Sequence, residues 1–166
     1  MRKSFCAQIP TNFGAFLAEF SERGLVSVKF PGRGGVSNGV GPSREQEEWV
    51  DATTDAINTV LAGKRPRVMP PMDWEGATEF QRRVWKVLQA IPPGETREYS
   101  DLAKAMGCPG AARAIGQACG ANPIPVLVPC HRVLAAGGML GGFSAGLEWK
   151  RRLLALEGCH PTRNRR

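Results

Sequence analysis

The sequence predicts a small α/β N-terminal domain over residues 1–75, an antiparallel sheet with one helix, followed by a mainly α C-terminal domain over residues 76–166 that carries a helix-turn-helix. Three observations support this. Strand-like alternation gives way to a helical period within the first part of the chain. A proline-rich stretch, Lys64 to Gly76, divides two differently patterned halves. Beyond it, the helical segments up to Ala121 are broken at Pro92-Pro93-Gly94 and Gly107-Cys108-Pro109.

Val26, Val28 and Phe30 alternate with Ser27 and Lys29, and the stretch from Phe13 to Phe20 is also rich in bulky apolar residues. With Ser21-Glu22-Arg23-Gly24 between them, the two runs predict a β-hairpin. Pro31 to Pro42 contains five glycines and is expected to be a mobile loop. Trp49, Ala52, Thr53, Ala56, Ile57, Val60 and Leu61 then recur at helical spacing until Gly63, so an amphipathic helix packs on the small sheet. Pro66, Pro70 and Pro71 forbid a continuous helix over 64–76, which is expected as an extended crossing.

Thr78-Glu79-Phe80-Gln81 has the form of a capping box, and Phe80, Val84, Val87, Leu88 and Ile91 mark the apolar face of the helix it opens. Pro92-Pro93-Gly94 ends that helix. A short helix near Tyr99 to Met106, the break at 107–109 and an Ala-rich helix near Ala111 to Ala121 outline a helix-turn-helix. The small residues of its second helix, Ala111, Ala112, Ala114, Gly116 and Ala118, permit close approach either to another helix or to a nucleic-acid groove.

The chain of 166 residues is 42% hydrophobic, enough for an ordinary packed core. No apolar run reaches the roughly 18 residues of a membrane-spanning helix, and no signal-type segment follows Met1, so a cytoplasmic protein is expected. The five cysteines, Cys6, Cys108, Cys119, Cys130 and Cys159, are odd in number and scattered, which does not suit a secreted disulfide framework. No Cys-x-x-Cys pair occurs and the only histidines are His131 and His160, so neither a metal nor a cofactor is expected. A net charge of +7 favours a polyanionic partner, although part of the excess lies in the tail Arg163-Asn164-Arg165-Arg166.

The run Ile124-Pro125-Val126-Leu127-Val128 leads into Pro129-Cys130-His131-Arg132-Val133. Its prolines argue against a central strand and for a buried, extended segment that fixes Cys130. A thiol there is either an inert core residue, the usual state of a buried cysteine, or a nucleophile activated by its neighbour. On the last helix Leu147, Lys150, Leu154 and Glu157 share one face. Lys150 and Glu157 are either solvated residues at the edge of the stripe or, for Glu157, a carboxylate buried beside His131. In the second case it would orient the imidazole and favour its charged form, leaving Cys130 as thiolate.

Pro129-Cys130-His131-Arg132-Val133, with Asn122-Pro123 before it and Gly142-Phe143-Ser144-Ala145-Gly146-Leu147 after it, closely resembles the O6-alkylguanine-DNA alkyltransferases, the methylated-DNA–protein-cysteine methyltransferases. The resemblance runs from about Thr78 to Gly158 and includes Gly94-Glu95-Thr96, Tyr99 to Ala103 and Ala111-Ala112-Arg113-Ala114-Ile115-Gly116. Residues 1–75 are similar to the family's N-terminal domain only in length and pattern. The family's fold implies a ribonuclease-H-like arrangement there and a winged helix-turn-helix-like motif in the second half.

The resemblance implies a protein that flips O6-alkylguanine out of duplex DNA and transfers the alkyl group irreversibly to its own cysteine, once per molecule. Cys130 would attack the alkyl carbon, His131 would act as base through a water with Glu157 behind it, and Asn122 would brace the turn. The Tyr99 hydroxyl would serve guanine N3 and the Ser144 N–H would serve O6. Carbonyls of Cys130 and Val133 would accept from the exocyclic amine, and Lys150 would contribute charge. The loop Ala135 to Gly146, with Phe143 and Ala145, would wall the pocket. Arg113 would fill the gap left by the extruded base from the minor groove, with Ala112, Ala114, Ser100 and Gln117 along the same DNA surface. The expected partner is double-stranded DNA carrying the lesion, bound by a monomer.

Phe143 stands where many relatives carry tyrosine, which removes any hydroxyl contact, and Ala145 is expected to narrow the pocket for bulky alkyl groups. Other functions share these features. A non-catalytic lesion sensor would lack an acceptor thiol, a helix-turn-helix regulator of the adaptive-response kind would carry an extra cysteine-rich N-terminal module, and a Cys-His hydrolase would turn over through an acyl intermediate.

Overall fold

The computed structural model describes residues 4–33, 35 and 41–161. The basic tail and much of the glycine-rich 31–42 loop lie outside the described residues. The chain forms two compact units, one of residues 1–60, 65–76 and 123–127, the other of 61–64, 77–122 and 128–166.

In the first unit β1 (Phe5–Ile9), β2 (Phe16–Phe20) and β3 (Leu25–Lys29) form an antiparallel sheet in the order β1-β2-β3. The hairpin expected around Ser21–Gly24 is β2–β3, and β1 adds a strand that the alternation did not single out. Phe5, Ile9, Phe16, Ala18, Phe20, Leu25 and Val28 are buried. The Phe5 and Phe20 rings stack with centroids 5.0 Å apart, which joins β1 to β2 through their cross-strand register. Helix α1 (Arg44–Leu61) begins five residues before Trp49 and buries Thr53, Ala56, Ile57, Val60 and Leu61 of the stripe that the sequence marks, while Trp49 and Ala52 are half-buried. The 64–76 crossing is tied to β3 by Leu25 N–H to Pro71 O and Asp73 N–H to Leu25 O, both 2.8 Å. Gly24, at φ +147°, lets this strand pass, because a Cβ there would lie 2.3 Å from Pro71 O.

In the second unit α2 (Glu79–Gln89) opens on the expected capping box. The Gln81 N–H bonds to the Thr78 hydroxyl at 3.1 Å and the Thr78 N–H to the Gln81 side chain at 3.0 Å. Its core face is Val84, Trp85 and Leu88, while Phe80 and Val87 are only half-buried. Ile91 is buried as expected, Trp85 joins the face that Phe80 and Val87 only partly fill, and its indole N–H reaches Ala118 O at 2.9 Å. Strand β4 (Arg97–Glu98) precedes α3 (Tyr99–Ala105), and α4 (Ala112–Gly120) completes the helix-turn-helix. Strand β5 (Val133–Leu134) pairs in parallel with β4, and α5 (Leu147–Leu156) closes the unit. None of the described helices is long and apolar enough to cross a membrane.

Candidate active site

The segment that delivers Cys130 is buried as expected but is not extended. Residues 125–127 form a turn, Val126 adopts φ +75°, and 123–127 belong to the first unit, where Val28 N–H bonds Pro123 O at 2.9 Å. Pro123, Pro125 and Pro129 have no N–H to offer a ladder, so the chain turns instead of pairing. A β-branched residue in the left-handed region costs on the order of 1–3 kcal/mol and persists only where its surroundings fix it. Asn122 supplies part of that fixing. Its Nδ2 donates to Val128 O at 2.8 Å, and the same carbonyl accepts the Cys130 N–H at 2.8 Å.

Cys130, His131 and Arg132 form one 3-10 turn. His131 is fully buried, with Nε2 3.0 Å from Glu157 Oε1. Glu157, the residue that caps α5, has a side chain only 1% exposed, and Arg132 clamps it through Nε (2.9 Å to Oε2) and Nη2 (2.6 Å to Oε1). Arg132 Nη1 donates to Ile91 O at 2.6 Å. Burial pushes the Glu157 carboxyl up, but the hydrogen bonds from His131 and Arg132 and the Arg132 charge more than reverse this and hold it at about 2.

The same surroundings correct the expected charge state. Burial pulls the His131 pKa down, the cations Arg132 and Lys150 add to that, and Glu157 only partly opposes it. The ring is therefore neutral. Because Glu157 is ionised and can only accept, Nε2 carries the proton and Nδ1 is left with a lone pair. That buried Nδ1 has no hydrogen-bond partner. Burial also raises the Cys130 thiol, against the smaller opposing effects of the Asn122 side chain, Lys150 and the turn's own backbone. The resting pair is thiol and neutral imidazole, not thiolate and imidazolium, because a sealed site disfavours both charges.

Lys150 is not a solvated edge residue. It is fully buried, and its Nζ donates to Val133 O at 2.7 Å and to Gly142 O at 3.1 Å, fixing both ends of the glycine-rich loop. Burial lowers it to about 8.

A cavity of about 220 Å³ opens beside Cys130 and is lined by Tyr99, Gly116, Cys119, Gly120, Cys130, Gly142, Phe143 and Ser144. Tyr99 stands at the start of α3, where burial and the two nearby thiols push its hydroxyl up to about 12, so it remains a donor. Gly141, at φ +67°, brings the loop backbone against the tyrosine, where even a Cβ would lie 3.4 Å from Oη.

The structure thus brings Cys130, Tyr99, Phe143 and Ser144 to one cavity and His131, Asn122, Lys150 and Glu157 to the support of the same turn and loop. Val133 and Ala145 are buried but do not line the cavity. On α4, Arg113 and Gln117 are exposed one turn apart, Ala112 and Ala114 are half-buried, and Ser100 is half-buried on α3. Sequence reasoning missed Arg132 as the principal partner of Glu157, and it missed Cys119, Gly116 and Gly120 as cavity wall. The small residues 116, 119 and 120 follow helical spacing, a signal that was available. Nothing local marks Arg132 as buried.

The family described as 6-O-methylguanine DNA methyltransferase, DNA binding domain, matches residues 79–159. The chain is similar to a methylated-DNA–protein-cysteine methyltransferase of Mycolicibacterium paratuberculosis, 50% identical over 106 residues that make up 64% of each protein. It is also similar to one of Methanosarcina acetivorans, 45% identical over 69% of this chain and 72% of that one. Among solved structures, Mycobacterium tuberculosis OGT in complex with DNA matches with a TM-score of 0.75 and 37% identity, covering 90% of each chain. The O6-methylguanine-DNA methyltransferase of Pyrococcus kodakaraensis matches at 0.65 and 27% identity, covering 92% of this chain and 98% of that one.

Proposed function

The chain belongs to the methylated-DNA–protein-cysteine methyltransferase family, and on that footing we propose that it repairs duplex DNA by moving an alkyl group from guanine O6 to Cys130. The observation that carries this is the shared cavity. The Cys130 thiol faces it together with Tyr99 and Ser144, and the neutral His131 with its bare Nδ1 follows Cys130 in the same turn.

The lesion is a flipped-out O6-alkylguanine, and the cost of its extrusion, a few kcal/mol, is offset by the cavity and by α4 in the minor groove, where Arg113 occupies the gap. The Cys130 proton passes to Nδ1 of His131 through an intervening water. The new imidazolium is stabilised by Glu157, already ionised and hydrogen-bonded to Nε2. Sulfur attacks the alkyl carbon in line with the C–O6 bond, which breaks as the S–C bond forms. Guanine leaves as an anion, received by the Tyr99 hydroxyl and the Ser144 N–H, and takes up a proton on release. The thioether stays on Cys130, so each molecule reacts once.

Lys150 holds the Val133 and Gly142 carbonyls and with them the loop that carries Phe143 and Ser144. On this reading the chain acts as a monomer on duplex DNA in the cytoplasm, without a cofactor. The test is to mix the protein with a duplex carrying one O6-methylguanine and map the product by peptide mass. One methyl group on the peptide containing Cys130, stoichiometric with repaired guanine and absent in Cys130→Ala, is expected. Unmodified protein with unrepaired DNA would overturn the assignment.

A further inference from the structure

Cys119 has no part in the transfer described above, yet it lines the same cavity as the acceptor. It sits on α4 one turn after Gly116, is 7% exposed, and forms no disulfide. Tyr99 and Ser144 are the other residues of the cavity wall with a side-chain hydroxyl, so Cys119 is the one soft nucleophile there besides Cys130. Burial and the neighbouring Cys130 hold the Cys119 thiol up at about 12. It is therefore silent towards dilute electrophiles, since the thiolate is the reactive form. An electrophilic carbon already tethered inside the cavity presents a different case, because an intramolecular partner gains a large effective concentration.

Resting on the alkyl-transfer reading, we propose that Cys119 is a second capture thiol for alkyl groups that carry a leaving group on their second carbon. When Cys130 takes a 2-haloethyl group, the product is a thioether with a halide two carbons from sulfur. The Cys130 sulfur displaces that halide internally to give a three-membered episulfonium ring. Cys119 sulfur then attacks one ring carbon, the strained C–S bond opens back onto Cys130, and the Cys119 proton is lost. The sum is one C2H4 bridge between two sulfurs, with halide and a proton released, and no oxidant or reductant is involved. The bridge keeps the electrophilic carbon from reacting with the DNA.

Residues 114–132 contain no internal lysine or arginine, so both cysteines fall on one tryptic peptide. The wild-type protein is mixed with duplex DNA freshly treated with a 2-haloethylating agent, and in parallel with the O6-methylguanine duplex. The peptide is expected to gain one C2H4 less two hydrogens, to resist iodoacetamide at both cysteines, and to lack backbone fragments between residues 119 and 130. In Cys119→Ala the Cys130 adduct is expected as hydroxyethyl or as a protein–DNA cross-link. A wild-type peptide carrying haloethyl or hydroxyethyl on Cys130 with Cys119 still free to iodoacetamide would overturn the capture role. So would an unmodified Cys130 in the haloethylated mixture while methyl transfer proceeds. Failure of methyl transfer itself would instead remove the alkyl-transfer reading and this inference with it.

Discussion

Each unit contains an arginine held by carboxylate, and the two clusters differ most in how far the arginine is withdrawn from water. In the first unit Arg23, 58% exposed, meets Asp73 at 3.3 Å and also Glu75, itself 42% exposed. In the second, Arg132 and Glu157 have side chains 6% and 1% exposed, and they share the carboxylate with a fully buried imidazole. The first is a clasp between the hairpin turn and the crossing segment, in which water reaches Arg23 and Glu75 although the Asp73 side chain, bonded by the Ser21 hydroxyl at 2.6 Å, is only 6% exposed. The second has no water to fall back on, so its charges must be matched within the protein and they set the protonation of their neighbours. An arginine–carboxylate pair is thus a surface clasp in one unit and, on the proposed reading, the electrostatic frame of the acceptor thiol in the other.

Removing one partner from the buried cluster is the strongest test of this contrast. Glu157→Ala leaves Arg132 buried without its carboxylate and is expected to cost about 3–5 kcal/mol of stability, read from urea denaturation. Alkyl transfer should fall as well, since the imidazole loses its anchor. A variant as stable as wild type would show that Arg132 is not confined as the structure has it.

Acid should separate the units next. His131 is neutral when folded but takes up a proton in the unfolded chain below its ordinary value of 6.5, so stability falls as pH drops below that value. Glu157 has its pKa depressed, so its contribution is complete above 4.5 and is lost as pH falls from there through about 2. Both contributions have the same sign, and that of Glu157 alone is on the order of 3 kcal/mol once fully lost. Thermal melts from pH 7 down to pH 3 should show this loss, and Glu157→Gln should flatten the part below 4.5. A melting temperature that does not change over that range would contradict the neutral-imidazole assignment.

A third arginine refines the comparison, since the partner proposed for it is DNA. Arg113 is exposed on α4, and Arg113→Ala is expected to leave the denaturation midpoint in place while slowing transfer from a duplex by roughly 10- to 100-fold, the value of a few kcal/mol of lost extrusion support. Equal slowing with the free O6-benzylguanine base would show that the residue acts on the cavity and not on the DNA. The smallest effect belongs to the exposed clasp. Glu75→Gln should shift neither stability nor transfer measurably, since exposed ion pairs contribute little.

Much of this was legible in the chain, and what was missed has a common origin. The hairpin, the capping box at Thr78, the helix-turn-helix and the stripe Leu147, Lys150, Leu154, Glu157 follow from patterns only a few residues long, and each stands in the structure. The strand Phe5–Ile9 was not singled out because Cys6 and Ala7 within it blur the alternation. The bend at Val126 was expected as extended chain because the prolines announce that a strand is forbidden without saying which turn replaces it. The boundary expected at 75/76 gave no sign that residues 123–127 would rejoin the first unit. At the site the resemblance pointed to His131 beside Glu157, but the charge state could not be read, since it depends on Arg132 and Lys150 arriving from other elements.

By itself, then, the sequence determined the elements, their caps and turns, and the residue types that could do thiol chemistry, because those depend on backbone period and on neighbours within a helical turn. The tertiary structure alone decided which of those residues lost their water. It buried Lys150 against two carbonyls and Glu157 under Arg132, kept His131 neutral and Cys130 a thiol, and set Cys119 in the wall of the cavity. Burial of a charge is a property of everything packed around it, and that surrounding is assembled from residues far apart in the chain.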